Sequence, residues 1–79
     1  MQNDYDPHEI KLAHEIADIL KDRDSIILHL QYARKYKEEF LRKTLAKVMS
    51  LDESKIRKNR AALYTFLISQ SSKYGDAGH

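Results

Sequence analysis

Apolar residues recur at three- and four-residue intervals along most of this chain. Ile10, Ala13, Ile16, Ala17 and Leu20 trace one face of a helix. The stretch "DPHE" stands just ahead of them: Asp6 suits an N-cap, Pro7 the first helical position, and Glu9 the acidic partner of a capping box. This helix is expected to end near Leu20 or Lys21. The polar run "KDRDS" then leads, with Asp22 or Asp24 as cap, into a second helix carrying Ile26, Ile27, Leu30, Ala33 and Tyr36. "RKYKEE" dilutes the apolar pattern without a Gly or Pro. A boundary at residues 36–38 is therefore expected, with one continuous helix to about residue 49 as the alternative. Beyond it, a third helix over residues 38–49 turns Leu41, Leu45, Val48 and Phe40 inward.

"SLDES" is the clearest internal punctuation. Ser50 with Glu53 forms a second possible capping box and Asp52 is another cap, so a helix is expected to start there. It either runs on to Tyr74, where Gly75 supplies a stop, or restarts at Asn59 as a fresh cap. In "AALYTFLI" seven of eight residues are apolar, the mark of a central bundle helix or an oligomer interface. A strand over "LYTFLI" has no second strand to pair with. The expected fold is all-α: a compact bundle of about four helices, with the helix at residues 60–70 in its centre. Residues 1–79 read as a single helical domain with flexible ends at 1–5 and 75–79.

Composition narrows the function classes. Seventy-nine residues leave little room for an enclosed cleft, which favours a binding module over an enzyme. At 42% apolar and 33% charged the chain reads as globular, and with no cysteine it has neither disulfides nor thiolate metal sites. No apolar run is long enough for a bilayer and the first ten residues lack a secretory layout, so a cytoplasmic protein is expected. A net charge of +2 conceals a division along the chain. Residues 1–30 hold three Lys or Arg against seven Asp or Glu; residues 31–60 hold ten against four. A basic middle can present cations to phosphates, pair with its own acidic half, or dock a partner.

Residues 45–63, "LAKVMSLDESKIRKNRAAL", resemble the helix-turn-helix of bacterial transcription regulators, and the likeness extends to about residue 67. Ala46 stands where that family packs an alanine against its second helix, with Leu45, Met49, Leu51 and Ile56 at apolar positions. "KIRKNRAALYTFL" is also similar to the second helix of response-regulator DNA-binding domains. The resemblance implies duplex DNA as partner. Lys55, Arg57, Lys58 and Arg60 would lie on or beside a recognition helix, and Arg42, Lys43 and Lys47 would grip phosphates from the helix before it. Arg can read guanine through paired donors, whereas Lys neutralises phosphate. Asp52 and Glu53 would repel phosphates at the start of that helix. The alternative is a protein-interaction module, an adaptor or inhibitor that binds no nucleic acid, and a homodimer suits either reading.

Other chemistry is sparse. His14 and Asp18 share a helix face in "HEIAD" but lack a third metal ligand, so a surface pair is the plainer reading. His8 belongs to the helix start and His29 to a partly exposed face. Ser50, Ser54 and Ser69 have no adjacent histidine, and two glycines near the end build no phosphate loop. No catalytic residue, metal, cofactor or small-molecule substrate is expected. Tyr32, Tyr36, Tyr64 and Phe66 read as core before base-stacking platforms.

Overall fold

The first helix begins as its sequence dictates. Asp6 Oδ1 accepts from the Glu9 amide at 2.9 Å while Glu9 Oε1 accepts from the Asp6 amide at 3.0 Å, a reciprocal box that satisfies two otherwise free donors. The computed structural model describes residues 5–73, in which α1 spans Pro7–Leu20, α2 Ile26–Lys35, α3 Glu38–Ser50 and α4 Arg60–Lys73. Short 3-10 turns at Arg23–Ser25 and Glu53–Lys55 complete the order, and the described residues contain no strand. The all-α bundle of about four helices is thus what the chain forms. Residues 1–4 and 74–79, including the expected stop at Gly75, lie outside the description.

α1 ends where expected but without glycine. Lys21 takes the left-handed conformation at φ 54°, and the amides of Lys21 and Asp22 bond back to the Asp18 and Ala17 carbonyls. Neither Asp22 nor Asp24 caps α2 through its side chain. Asp22 instead accepts from His29 Nε2 at 3.0 Å. The break at residues 36–37 is real: Tyr36 is extended, and around the corner its ring meets Tyr32 edge-on and Phe40 at a tilt, with centroids 5.7 and 5.5 Å apart.

The helix expected from "SLDES" does not form. Ser50 turns its hydroxyl back to the Lys47 carbonyl at 2.9 Å, closing α3 where a cap would have opened a new helix. Leu51 is extended, and Asp52 makes no side-chain cap. The chain recovers a helix only at Asn59, whose Oδ1 accepts from the Ala62 amide at 2.7 Å. That was the second of the two starts the sequence allowed.

The core is built from Leu12, Ile16 and Leu20 of α1, Tyr36, Leu41, Leu45 and Val48 around α3, and Tyr64 and Ile68 of α4. Five burial expectations change. Leu12 takes the inward place assigned to Ile10, which is 40% exposed. Ile27 is 60% exposed because it lies off the Ile26–Leu30–Ala33 face, while His29 beside that face is buried. α1, with Leu12, Ala13, Ile16, Ala17 and Leu20 all buried, occupies the centre expected of α4. α4 packs chiefly on α3 and leaves Phe66 56% exposed.

Tyr64 is fully buried, its ring 5.9 Å from that of His29, and burial pushes its phenol well above the usual tyrosine range. Its hydroxyl and His29 Nδ1 find no partner among the described protein groups. Tyr64→Phe is therefore expected to hold stability or raise it by about 1 kcal/mol, since it removes a buried polar atom and keeps the ring. Tyr64→Ala should lose about 3–5 kcal/mol. Denaturant melts of the two variants beside the parent chain check this, and a large loss in Tyr64→Phe would mean that the hydroxyl is held.

Candidate nucleic-acid interface

The seven candidate cations divide into two groups once their partners are known. Arg42 belongs to the fold. Its two terminal nitrogens donate to Glu15 of α1 at 3.1 and 3.0 Å, and its Nε donates to Glu38 at 2.6 Å, so one guanidinium ties α1 to α3. Arg60 also turns inward. From the first turn of α4 it donates through one nitrogen to the Val48 and Leu51 carbonyls at 2.6 and 3.0 Å, satisfying acceptors at the end of α3.

The other five stay outside. Lys43 and Lys47 are exposed one turn apart on α3, and neither has an ion-pair partner among the described residues. Lys55 ends the 3-10 turn, and Arg57 and Lys58 follow it on a non-helical stretch; all three are exposed and likewise unpaired. The expected recognition helix is thus absent at Lys55, Arg57 and Lys58, for the reason found at Ser50. Residues 51–59 form an irregular connection between α3 and α4. Ala46 is exposed, and Ile56 is half-buried beneath the connection.

The carboxylates divide in the same way. Glu9 pairs with Arg34, Asp18 with Arg23, Glu15 with Arg42, and Glu38 with both Arg42 and His8. Hydrogen bonds from arginine hold Glu15, Asp18 and Glu38 below the ordinary carboxylate range. Much of the acidic first half is therefore neutralised at home. Asp52 and Glu53 remain exposed on the connection itself, so residues 43–58 offer five cations against two carboxylates.

Beside the connection lies a groove of about 630 Å³, with Ile19, Met49 and Ile56 among its apolar residues and Lys21, Glu53 and Lys58 among its charged ones. Periodicity carries no sign of it because its walls come from the ends of three helices. His29, expected at a partly exposed face, is buried against Asp22 and Tyr64. The signal was an acidic residue seven positions upstream. His8 sits at the start of α1, 2.8 Å from Glu38, whereas Asp18 has Arg23 as its partner. No three potential metal ligands cluster among the described residues, and no described helix is long and apolar enough to cross a membrane. No protein-family model matches the chain, and no curated protein or solved structure matches it either.

Two variants test the arginines assigned to the fold. Carboxylates whose folded pKa is lowered stabilise fully above their unfolded value, about 4.3 for Glu, and lose that contribution as pH falls through the folded value. Thermal midpoints should therefore drop on acidification, and Arg42→Ala should lie below the parent at neutral pH and converge on it in acid. A constant gap across the pH series would sink the assignment. Arg60→Ala should lower the unfolding free energy by about 1–3 kcal/mol in denaturant titrations, because buried carbonyls lose a charged donor.

Proposed function

We propose that this chain is a small DNA-binding or DNA-associated module that holds the phosphate backbone with Lys43, Lys47, Lys55, Arg57 and Lys58. One observation carries the reading: these five cations, on α3 and the connection after it, are exposed and unpaired, while Arg42 is held by Glu15 and Glu38 and Arg60 by carbonyls at the end of α3. Phosphate contacts need cations of this kind. An arginine already bonded to carboxylates or carbonyls has few donors left for a ligand.

The irregular connection bears on specificity. A side chain reads bases when a helix or ribbon carries it into the major groove, and Lys55, Arg57 and Lys58 stand on neither. The contact this arrangement supports is with the backbone, independent of base sequence and steeply dependent on salt. Asp52 and Glu53 temper it by repelling the same phosphates.

Titration of labelled duplex DNA across a salt series tests the proposal. Five phosphate contacts predict a log–log slope of about −4 to −5. Arg57→Ala/Lys58→Ala, both exposed, should stay folded and flatten the slope by about two. Asp52→Asn/Glu53→Gln should bind more tightly than the parent at every salt concentration. Absence of binding at low salt refutes the reading and favours a protein-interaction module. The uncharged outer face of α4 is the observation that supports that alternative.

A further inference from the structure

Among the described residues five large apolar side chains stand exposed: Ile10, Ile19, Ile27, Met49 and Phe66. Two of them, Ile19 and Met49, line the same groove of about 630 Å³ beside the connection. Ile56, half-buried, adds a third aliphatic group to its walls. Exposed aliphatic groups gathered in one depression gain free energy when covered, and a flexible methionine adapts to what covers it. Five charged residues line the groove as well, Lys21, Lys58 and Arg60 against Asp22 and Glu53. Two of the five are engaged within the fold. Asp22 accepts from His29, and Arg60 donates to the Val48 and Leu51 carbonyls. Lys21, Lys58 and Glu53 are exposed with no ion-pair partner among the described residues, which leaves two lysines against one carboxylate. The surroundings have the same sign, since residues 43–58 carry five cations against two carboxylates.

We infer that this groove docks a short segment of another protein in which aliphatic side chains are flanked by carboxylates. Charge complementarity selects the occupant. Lys21 stands at the end of α1 and Lys58 on the connection, so a segment seated on Ile19, Met49 and Ile56 meets a lysine from each of two elements. Two rival occupants fit less well. A second copy docked through the same surface about a two-fold axis would set Lys21 and Lys58 against themselves. Unpaired bases stack on aromatic platforms, and no aromatic residue lines the groove. The association is weak and sensitive to salt, because exposed ion pairs are screened and contribute little each. Lys58 also belongs to the phosphate-binding set, but the docking stands without the nucleic-acid reading.

Titration of the isotope-labelled chain, followed by NMR without nucleic acid, tests this. The probe is a short capped peptide of leucine and glutamate, beside two controls in which serine replaces the leucines or lysine replaces the glutamates. The probe should shift the amide signals of Ile19, Lys21, Met49 and Ile56, and each control should bind about tenfold more weakly or worse. Met49→Ser, which removes an apolar wall, should weaken the probe about tenfold. Lys21→Glu, exposed and outside the phosphate-binding set, should weaken it too with unchanged circular dichroism, and keeps the test decisive should Met49→Ser fold poorly. Absence of binding by the probe overturns the inference. Equal binding of the serine control overturns it by reducing the contact to general attraction between charges, and equal binding of the lysine control by removing the charge preference. Shifts confined to the surface around Phe66, or binding unchanged in both variants, place the docking elsewhere and overturn it as well. Groove signals that move with protein concentration alone would give the site to a second copy, which is equally fatal.

Discussion

The corner between α3 and α4 depends on one guanidinium. The last carbonyls of a helix have no partner within it, and at the end of α3 the extended Leu51 supplies only one long bond, from its amide to the Val48 carbonyl at 3.4 Å. Arg60 reaches back from the next helix and bonds the Val48 and Leu51 carbonyls together. This contact joins the end of α3 to the start of α4 and closes the intervening loop. Lys55, Arg57 and Lys58 project from that loop, and Tyr64 and Ile68 enter the core from the helix that Arg60 begins.

A division of labour between arginine and lysine follows from their geometry. Arginine presents a rigid planar fork that satisfies two acceptors together, whereas lysine is a strongly hydrated point charge on a flexible stem. Arg23, Arg34, Arg42 and Arg60 accordingly bond carboxylates or carbonyls within the chain. Lys43, Lys47, Lys55 and Lys58 remain in water. The opposition between an acidic first half and a basic middle is thus partly an internal matter. Glu9 and Glu15 bind arginines 25 and 27 residues downstream. What survives as surface charge is mainly lysine.

Local rules made much of the fold legible. Asp6, Pro7 and Glu9 announced α1, and Leu41, Leu45 and Val48 announced the buried face of α3. Legibility failed where one side chain had two local choices or a distant partner. Ser50 can cap the helix after it or bond the turn before it, and both fit the same letters. His29 is buried because Asp22 is within reach, a fact of space that periodicity does not carry. The candidate site was half legible. Seven cations could be read from the chain, but the engagement of Arg42 and Arg60 depends on Glu15, Val48 and Leu51 arriving from elsewhere.

Charge along the chain changes abruptly at Arg60. The connection before it is crowded with ions, while the helix after it carries none until Lys73. Salt therefore acts differently on the two surfaces. Counterions screen the cations of the connection and compete for any phosphate they hold. The stretch of α4 between Arg60 and Lys73 has no charge of its own to screen. Ionic strength thus acts on one face while sparing the other. A single arginine thus divides a densely charged connection from an uncharged stretch of helix.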